Sequence, residues 1–368
     1  MPAAATAATV QAGTATLRAA NEAEVRRLLE TLEAACDLDW EREKLARWRR
    51  FLALERCPGG FRSAASPLGG RPAAAWPKIR LNDALRDERL MLLHQLGDEA
   101  GVLHARNQRV PNIRCNYGTG ILSSLFGAEL FWMPEELDTL PTTRALAGAD
   151  PIGALLSAGE PDLDSGWGKR VFATAEFFKA ALAPYPKLAE VVWIYHPDLQ
   201  GPVDIAELLL GEHLLLGFYD RPEEVRAVLE LITRTYIRFM KRWFALVPPR
   251  SARDSAHWGR LIPGQIMLRG DSLVNLSPEV YDEFVRPCDE RILAEFGGGG
   301  MHYCGKADHC LERMTSGPLM RHVNSSQPDL NDPEKLLEFT VGRGRILDVP
   351  ARHEALFAGR LDRGVLLS

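Results

Sequence analysis

The segment Gly299-Gly300-Met301-His302-Tyr303-Cys304-Gly305 has the pattern of a strand that ends in two polar side chains. Side chains alternate along a strand, so His302 and Cys304 point to the same face. If this strand lines a barrel, both side chains reach the interior near its carboxyl end. Imidazole nitrogen and thiolate sulfur can share one Zn²⁺ there. A His and a Cys that only pack in a core would show the same spacing, since free Cys is often buried.

The segments on either side of this strand indicate its context. Short apolar segments alternate with amphipathic ones from Val110 onward. Strand-like segments span residues 112–115, 191–195, 265–268, 301–304, 322–324 and 345–349, and residues 214–218 fit either a strand or the end of a helix. Helix-like segments span residues 170–182, 222–244, 278–296, 307–314 and 333–342. This alternation favours a parallel sheet with crossover helices, and the number of repeats predicts a (β/α)₈ TIM barrel.

The region before Val110 has a different pattern. Residues 21–54 and 81–106 carry apolar side chains at helical spacing and are separated by a segment rich in Pro, Gly and Ala. We therefore expect an N-terminal helical extension packed on the barrel. The predicted division is a disordered tail over residues 1–20, a helical region over 21–109 and the (β/α)₈ barrel over 110–368.

Polar residues follow most of the predicted strands. A barrel assembles its chemistry from the carboxyl ends of its strands, so these residues are the candidates for a site. The catalytic candidates are Asp271, Asp198 and Arg114, the substrate-binding candidates are Asn116, Tyr117, Gln200, Asn324 and Gln327, and the metal-binding candidates are His302 and Cys304. Arg114 could clamp a carboxylate, or form one structural ion pair. Asp198 could also cap a helix or stabilise a turn, and Asp271 could be a metal ligand, a base or a substrate contact.

Composition excludes several classes of function. The 368 residues are 46% hydrophobic and carry a net charge of −5, which disfavours nucleic-acid binding. No apolar run approaches the roughly 18 residues of a membrane span. The six cysteines form no CxxC pair, and residues 1–17 lack the basic and apolar stretches of a signal peptide. We therefore expect a cytoplasmic protein that acts on a small molecule.

The motifs together resemble the uroporphyrinogen decarboxylase superfamily, which includes the methylcobamide:coenzyme M methyltransferases. The resemblance runs from about Val110 to the C-terminus. It is carried by His302-Tyr303-Cys304-Gly305, by the segment 268–279 (LRGDSLVNLSPE), by Gly201-Pro202-Val203-Asp204 and by the segment 220–225 (DRPEEV). It implies the barrel fold and two alternative chemistries. The methyltransferases hold zinc through His-x-Cys and a later Cys, and transfer a methyl group between a corrinoid and a thiol.

The chain departs from both branches of this superfamily. The Arg-Gln-Ala-Gly-Arg-Tyr type of segment of the true decarboxylases has no counterpart here, so we do not expect a true uroporphyrinogen decarboxylase. A related metal-free decarboxylase or lyase that acts on a carboxylated substrate is kept as an alternative. No cysteine follows Cys310, and Asp348, His353 or Glu354 stands where the methyltransferases have their last zinc ligand. The preferred hypothesis is a zinc-dependent methyltransferase with a corrinoid as methyl donor. Its expected partners are a corrinoid protein and a second copy of itself. A non-catalytic binding barrel is the third alternative.

Overall fold

The computed structural model describes Leu17, residues 19–66, Gly69 and residues 75–368. The predicted tail over residues 1–20 lies outside the described residues except for Leu17, Ala19 and Ala20. Among the described residues, no helix is both long and apolar enough to cross a membrane.

Twelve strands are present in the described residues. They are β1 (Phe61–Arg62), β2 (Asn112–Ile113), β3 (Leu130–Phe131), β4 (Thr142–Thr143), β5 (Trp193–Ile194), β6 (Asp254–His257), β7 (Arg260–Pro263), β8 (Ile266–Arg269), β9 (Gly299–Tyr303), β10 (Met320–Ser325), β11 (Ile346–Val349) and β12 (Val365–Leu367). Six of them form one parallel sheet in the order β1-β12-β11-β10-β9-β8. β2 and β5 form a separate parallel pair, and β3–β4 and β6–β7 are antiparallel pairs.

Fifteen α-helices are described, together with short 3₁₀ segments. They are α1 (Glu22–Ala35), α2 (Leu38–Leu52), α3 (Leu81–Ala84), α4 (Glu88–Ala105), α5 (Ile121–Leu125), α6 (Pro151–Ala158), α7 (Gly168–Leu182), α8 (Pro186–Val191), α9 (Pro202–Leu210), α10 (Glu212–Asp220), α11 (Pro222–Leu246), α12 (Pro278–Val280), α13 (Arg286–Glu295), α14 (Leu311–Met314) and α15 (Pro333–Phe339). A π-helical turn, Tyr281–Val285, joins α12 to α13.

Local sequence accounts for the ends of the longest helix. α11 begins with Pro222, whose fixed φ suits the first helical position, and carries Glu223 and Glu224 in its first turn, where the helix dipole favours negative charge. Its buried face includes Ile232 and Phe239. Burial of this apolar stripe against the rest of the fold stabilises the helix.

A parallel sheet with crossover helices is therefore present, as the alternation after Val110 predicts. In the described part of the chain, strand pairing does not join the six-stranded sheet to the β2–β5 pair. The structure shows a mixed α/β fold with a six-stranded parallel sheet, and the closed eight-stranded barrel stays a prediction.

Single hydrogen bonds do link the two sets of strands. The amide of Met267 on β8 donates to His196 Nε2 beyond β5 at 3.2 Å, and the amide of Gly201 donates to the Arg269 carbonyl at 2.8 Å. The tip of the β6–β7 hairpin also contacts both sets. The Gly259 carbonyl accepts from Val110 at 2.8 Å before β2, and Arg260 lies 3.2 Å from Asp348 on β11.

Several segments differ from the expectation based on sequence, since β3, β4, β6, β7 and β12 were not predicted. Residues 214–218 are helical, within α10, because Leu214, Gly217 and Phe218 are buried at helical spacing. An apolar run this short does not distinguish a strand from a helix. The sheet also includes β1, which lies in the region expected to be helical, and Phe61 pairs with Leu366 of β12. A two-residue strand is too short to show a period of two.

Candidate metal centre

Three potential ligands converge where β8 and β9 end. Arg269 of β8 pairs in register with His302 of β9, so the residues that follow the two strands are neighbours. Asp271, His302 and Cys304 each offer one ligand atom, and these atoms lie within 4.8 Å of one another. His302 Nε2 is 3.5 Å from Cys304 Sγ and 3.8 Å from Asp271 Oδ1. The expected same-face geometry of His302 and Cys304 is present.

Asn324 fixes the orientation of His302. Its Nδ2 donates to the Asp348 carbonyl at 3.2 Å, so its Oδ1 faces His302 as an acceptor. His302 Nδ1–H donates to this oxygen at 2.6 Å, which leaves the lone pair of Nε2 directed toward Cys304. Burial lowers the pKa of His302, so the neutral form that binds metals is favoured.

The turn after β9 positions Cys304. Gly305 has φ +76°, a left-handed conformation that glycine adopts without strain, and its amide donates to Gln327 Oε1 at 2.7 Å. Ser326 Oγ donates to Cys304 Sγ at 3.2 Å. Burial and the neighbouring Asp271 carboxylate raise the pKa of Cys304, although Ser326 opposes this shift. A nearby cation would instead favour the thiolate.

Asp204 positions Asp271 and is absent from the residues that sequence reasoning selected as a site. It is buried on α9, and its two carboxylate oxygens accept from the amides of Asp271 and Ser272, each at 2.9 Å. Burial raises the pKa of Asp204 to about 7. The amide of Cys304 in turn donates to Asp271 Oδ1 at 2.8 Å. The signal for Asp204 was its place in Gly201-Pro202-Val203-Asp204.

A network of charged groups lies beside this cluster. Asp198 forms ion pairs with both Arg114 and Arg269. Burial acts to raise the pKa of Asp198, but the two guanidinium groups outweigh it and hold the pKa below its usual range. Arg269 also donates to His257 Nε2 at 2.6 Å. Two predicted catalytic residues, Asp198 and Arg114, are thus in direct contact.

Trp258 connects this network to His302. Its ring centroid lies 5.0 Å from that of His302, in an edge-on arrangement, and 4.6 Å from the Arg269 guanidinium carbon. Trp258 has φ +49°, which is unusual for a bulky side chain and is imposed by the tight turn between β6 and β7. Sequence analysis missed Trp258 and His257, because a hairpin inserted before a barrel strand has no periodic signal, whereas Arg269 lies in the quoted segment 268–279 at the end of β8.

The remaining predicted residues have separate environments. Asn116 is buried, and its Oδ1 has no hydrogen-bond partner among the described residues. The Tyr117 hydroxyl bonds to Thr174 at 2.7 Å and accepts from Arg170 at 3.2 Å, so the structure directs it into α7 and not toward His302. Gln200 is buried next to Gly201. The substrate-binding role of all five such residues stays a prediction.

The three C-terminal alternatives for a metal ligand have other partners. Asp348 is fully buried 3.3 Å from His322 and 3.2 Å from Arg260. His353 lies 3.5 Å from Asp329, and Glu354 accepts from Arg62 at 2.9 Å. Asp271 is therefore the carboxylate that joins His302 and Cys304.

The donor set fits zinc. Nitrogen, sulfur and oxygen ligands around one tetrahedral zinc lie roughly 3.3 to 3.8 Å apart, given metal–ligand distances of about 2.0 to 2.3 Å. The Nε2–Sγ and Nε2–Oδ1 distances of 3.5 and 3.8 Å are close to this range. A metal-binding histidine usually donates its other ring N–H to a carbonyl or carboxylate, and the side-chain carbonyl of Asn324 accepts from His302 in this way.

Comparison with known proteins gives a fold and no family. No family model matches the chain, and no curated protein matches it. Among solved structures, it is similar to a methyltransferase from Methanosarcina mazei, with a TM-score of 0.56 and 15% identity, over 77% of this chain and 80% of that chain. At this identity the likeness shows a shared fold alone. Membership of the uroporphyrinogen decarboxylase superfamily stays a prediction.

Proposed function

We propose that the protein is a zinc-dependent methyltransferase that transfers a methyl group between a corrinoid and a small thiol. The observation that carries this proposal is the convergence of Asp271, His302 and Cys304, with His302 held by Asn324. The fold shared with a methyltransferase supports it.

The residues of the site have distinct roles in this proposal. His302, Cys304 and Asp271 would hold the metal, which leaves one tetrahedral position for the substrate. Zinc held there would lower the pKa of a thiol bound at the open position, so that the thiolate would be present at neutral pH. Asn324 keeps Nε2 of His302 free of a proton, and Ser326 holds the Cys304 sulfur. Asp204 keeps the Asp271 carboxylate over the end of β9.

The same proposal includes a corrinoid as the methyl donor, a corrinoid protein as the partner that carries it, and a homodimer as the assembly. A corrinoid supplies a methyl group that a thiolate can accept. Because Cys304 is exposed, the corrinoid would approach the metal centre from the side of Cys304. The cytoplasmic location follows from the need to keep Cys304 reduced.

Metal content tests the proposal directly. Protein from zinc-supplemented expression should carry about one equivalent of zinc per chain, and His302→Ala, Cys304→Ser and Asp271→Asn should each lose most of it. Cys310→Ser is the matched control, because Cys310 is a buried cysteine in the segment that follows Cys304. Loss of zinc should coincide with loss of methyl transfer from methylcobalamin to a thiol. Wild-type protein with less than about one tenth of an equivalent would contradict the proposal.

One observation favours a second candidate, a metal-free lyase that acts on a carboxylated substrate. Arg114 and Arg269 share the single carboxylate of Asp198, so these three groups together carry one excess positive charge. A substrate carboxylate would supply the missing charge. Activity that survives complete removal of zinc and is lost in Arg114→Met would favour this candidate over methyl transfer.

A further inference from the structure

A second cavity lies away from the metal centre. It has a volume of about 270 Å³ and is bounded by α13 and by the segment that leads into β10. Leu293, Met314, Pro318 and Met320 contribute apolar surface to it. Gly317 to Met320 precede or begin β10, whereas the metal centre is at the strand ends, so the cavity is distinct from that site.

Asp289 is the unusual residue in this lining. It is 2% exposed, and its Oδ2 has no hydrogen-bond partner among the described residues. Buried carboxyl oxygens are nearly always hydrogen-bonded, because an unpaired one costs about 1–3 kcal/mol. Asp289 has no evident role in the fold that would compensate for this cost.

The charges around the cavity favour a cation. Burial raises the pKa of Asp289 well above its usual range, and the carboxylates of Asp204 and Glu290 add to this shift. Arg286 is the one cation among the described lining residues, and it is already paired with Asp282 at 2.8 Å and with Glu290 at 3.3 Å. Asp289 therefore keeps its proton when it has no cationic partner. A positively charged group placed beside it would favour the carboxylate, because an opposite charge offsets the burial and the repulsion from Asp204 and Glu290.

The helix beside the cavity is irregular at this point. Tyr281, which lines the cavity, begins the π-helical turn Tyr281–Val285. Pro287 explains the turn, because it has no N–H to donate to the Glu283 carbonyl, which accepts from Arg226 at 3.3 Å. The wide turn sets Tyr281 and Asp289 against one cavity, and such turns are common at functional sites.

We propose that this cavity binds a small organic cation, a primary ammonium on an apolar body, through an ion pair with Asp289. An apolar cavity of about 150 Å³ holds one benzene ring, so about 270 Å³ accommodates a ring with a short aminoalkyl chain. Leu293, Met314 and Met320 contact the apolar body, and Asp289 binds the ammonium.

Calorimetric titration of the full chain with phenethylamine tests this proposal, with 2-phenylethanol as a neutral molecule of similar shape. Phenethylamine should bind at one site per chain, at least about 10-fold more tightly than 2-phenylethanol, since burial strengthens a charge pair. Asp289→Asn should remove this preference, and Ala294→Trp should block both ligands at the exposed mouth of the cavity.

Glu295→Gln is the matched control, because it removes one negative charge from the same helix outside the cavity lining. It should bind phenethylamine as the wild type does. Three results would each overturn the proposal: no saturable binding of phenethylamine up to about 5 mM, equal affinity for the two ligands, or unchanged affinity in Asp289→Asn. Ala294→Trp covers the case in which Asp289→Asn does not fold. None of these measurements depends on methyl transfer.

Discussion

His302 Nδ1 donates a hydrogen bond of 2.6 Å to Asn324 Oδ1, and the other end of the Asn324 amide is fixed by the Asp348 carbonyl. Three successive strands, β9, β10 and β11, thus determine the direction of one imidazole lone pair. The geometry at the metal centre depends on residues that do not themselves offer a ligand.

Replacing Asn324 by Ala should weaken zinc binding by about 10- to 100-fold without preventing folding, because the His302 ring loses its orienting acceptor. Competition with a chromophoric zinc chelator measures this change. Ser325→Ala, at the next position of β10, is the control and should bind zinc as the wild type does. Equal affinity in Asn324→Ala and wild type would show that the hydrogen bond does not orient a ligand.

The turn at Gly305 should be sensitive to any side chain. Gly305 has φ +76°, and an added Cβ would lie 2.9 Å from Val274 Cγ1. We expect Gly305→Ala to lower the free energy of unfolding by about 1–3 kcal/mol and to weaken zinc binding, since the turn holds Cys304. Gly101→Ala on α4, where an added Cβ meets nothing within 4 Å, should instead stabilise the protein by about 0.5–1 kcal/mol. Urea denaturation compares the two variants.

Asp198→Ala should destabilise the protein by about 3–5 kcal/mol, because it leaves Arg114 and Arg269 unpaired in a largely buried site. Urea denaturation measures this loss. Asp220→Ala at an exposed position should change stability by less than about 0.5 kcal/mol. A loss below about 1 kcal/mol in Asp198→Ala would mean that water or another group already balances the two arginines.

Glu99 should make stability fall as the pH rises. Burial raises its pKa from 4.5 to about 8. Between these values the unfolded chain has released the proton and the folded chain has kept it. The free energy of unfolding therefore falls by up to about 1.4 kcal/mol for each pH unit. The advantage of the folded state is complete below about pH 4.5 and is lost by about pH 8. Urea midpoints of wild type and Glu99→Gln between pH 5 and 8 test this, and parallel curves would refute it.

The sequence predicted elements with strong local signals. The strand–helix alternation after Val110 indicated a parallel sheet, because amphipathic helices such as α13, between β8 and β9, separate several of its strands. The pairing of His302 and Cys304 on one face followed from the period of two alone. Asp271 was selected because Ser277 already capped the next helix, and the structure shows that cap.

The sequence could not predict contacts that depend on distant segments. Trp258 reaches His302 because the β6–β7 hairpin turns back between strands, and a four-residue strand pattern does not give that direction. Tyr117 followed β2 like its neighbours, but its side chain packs on Trp167 at 4.8 Å between ring centroids. The position of a residue along the chain does not settle which side of the backbone its ring occupies.

The pairing of Phe61 with Leu366 sets the order in which the sheet can be completed during synthesis. About 300 residues separate the two, and at about 5–20 residues per second a ribosome needs on the order of 15–60 s to make them. During that interval β1 has no sheet partner. Phe61 can still stack on Trp48 and Phe51, at 4.4 and 4.8 Å between ring centroids, before β12 emerges. This aromatic cluster would protect a strand edge that otherwise invites pairing with other chains.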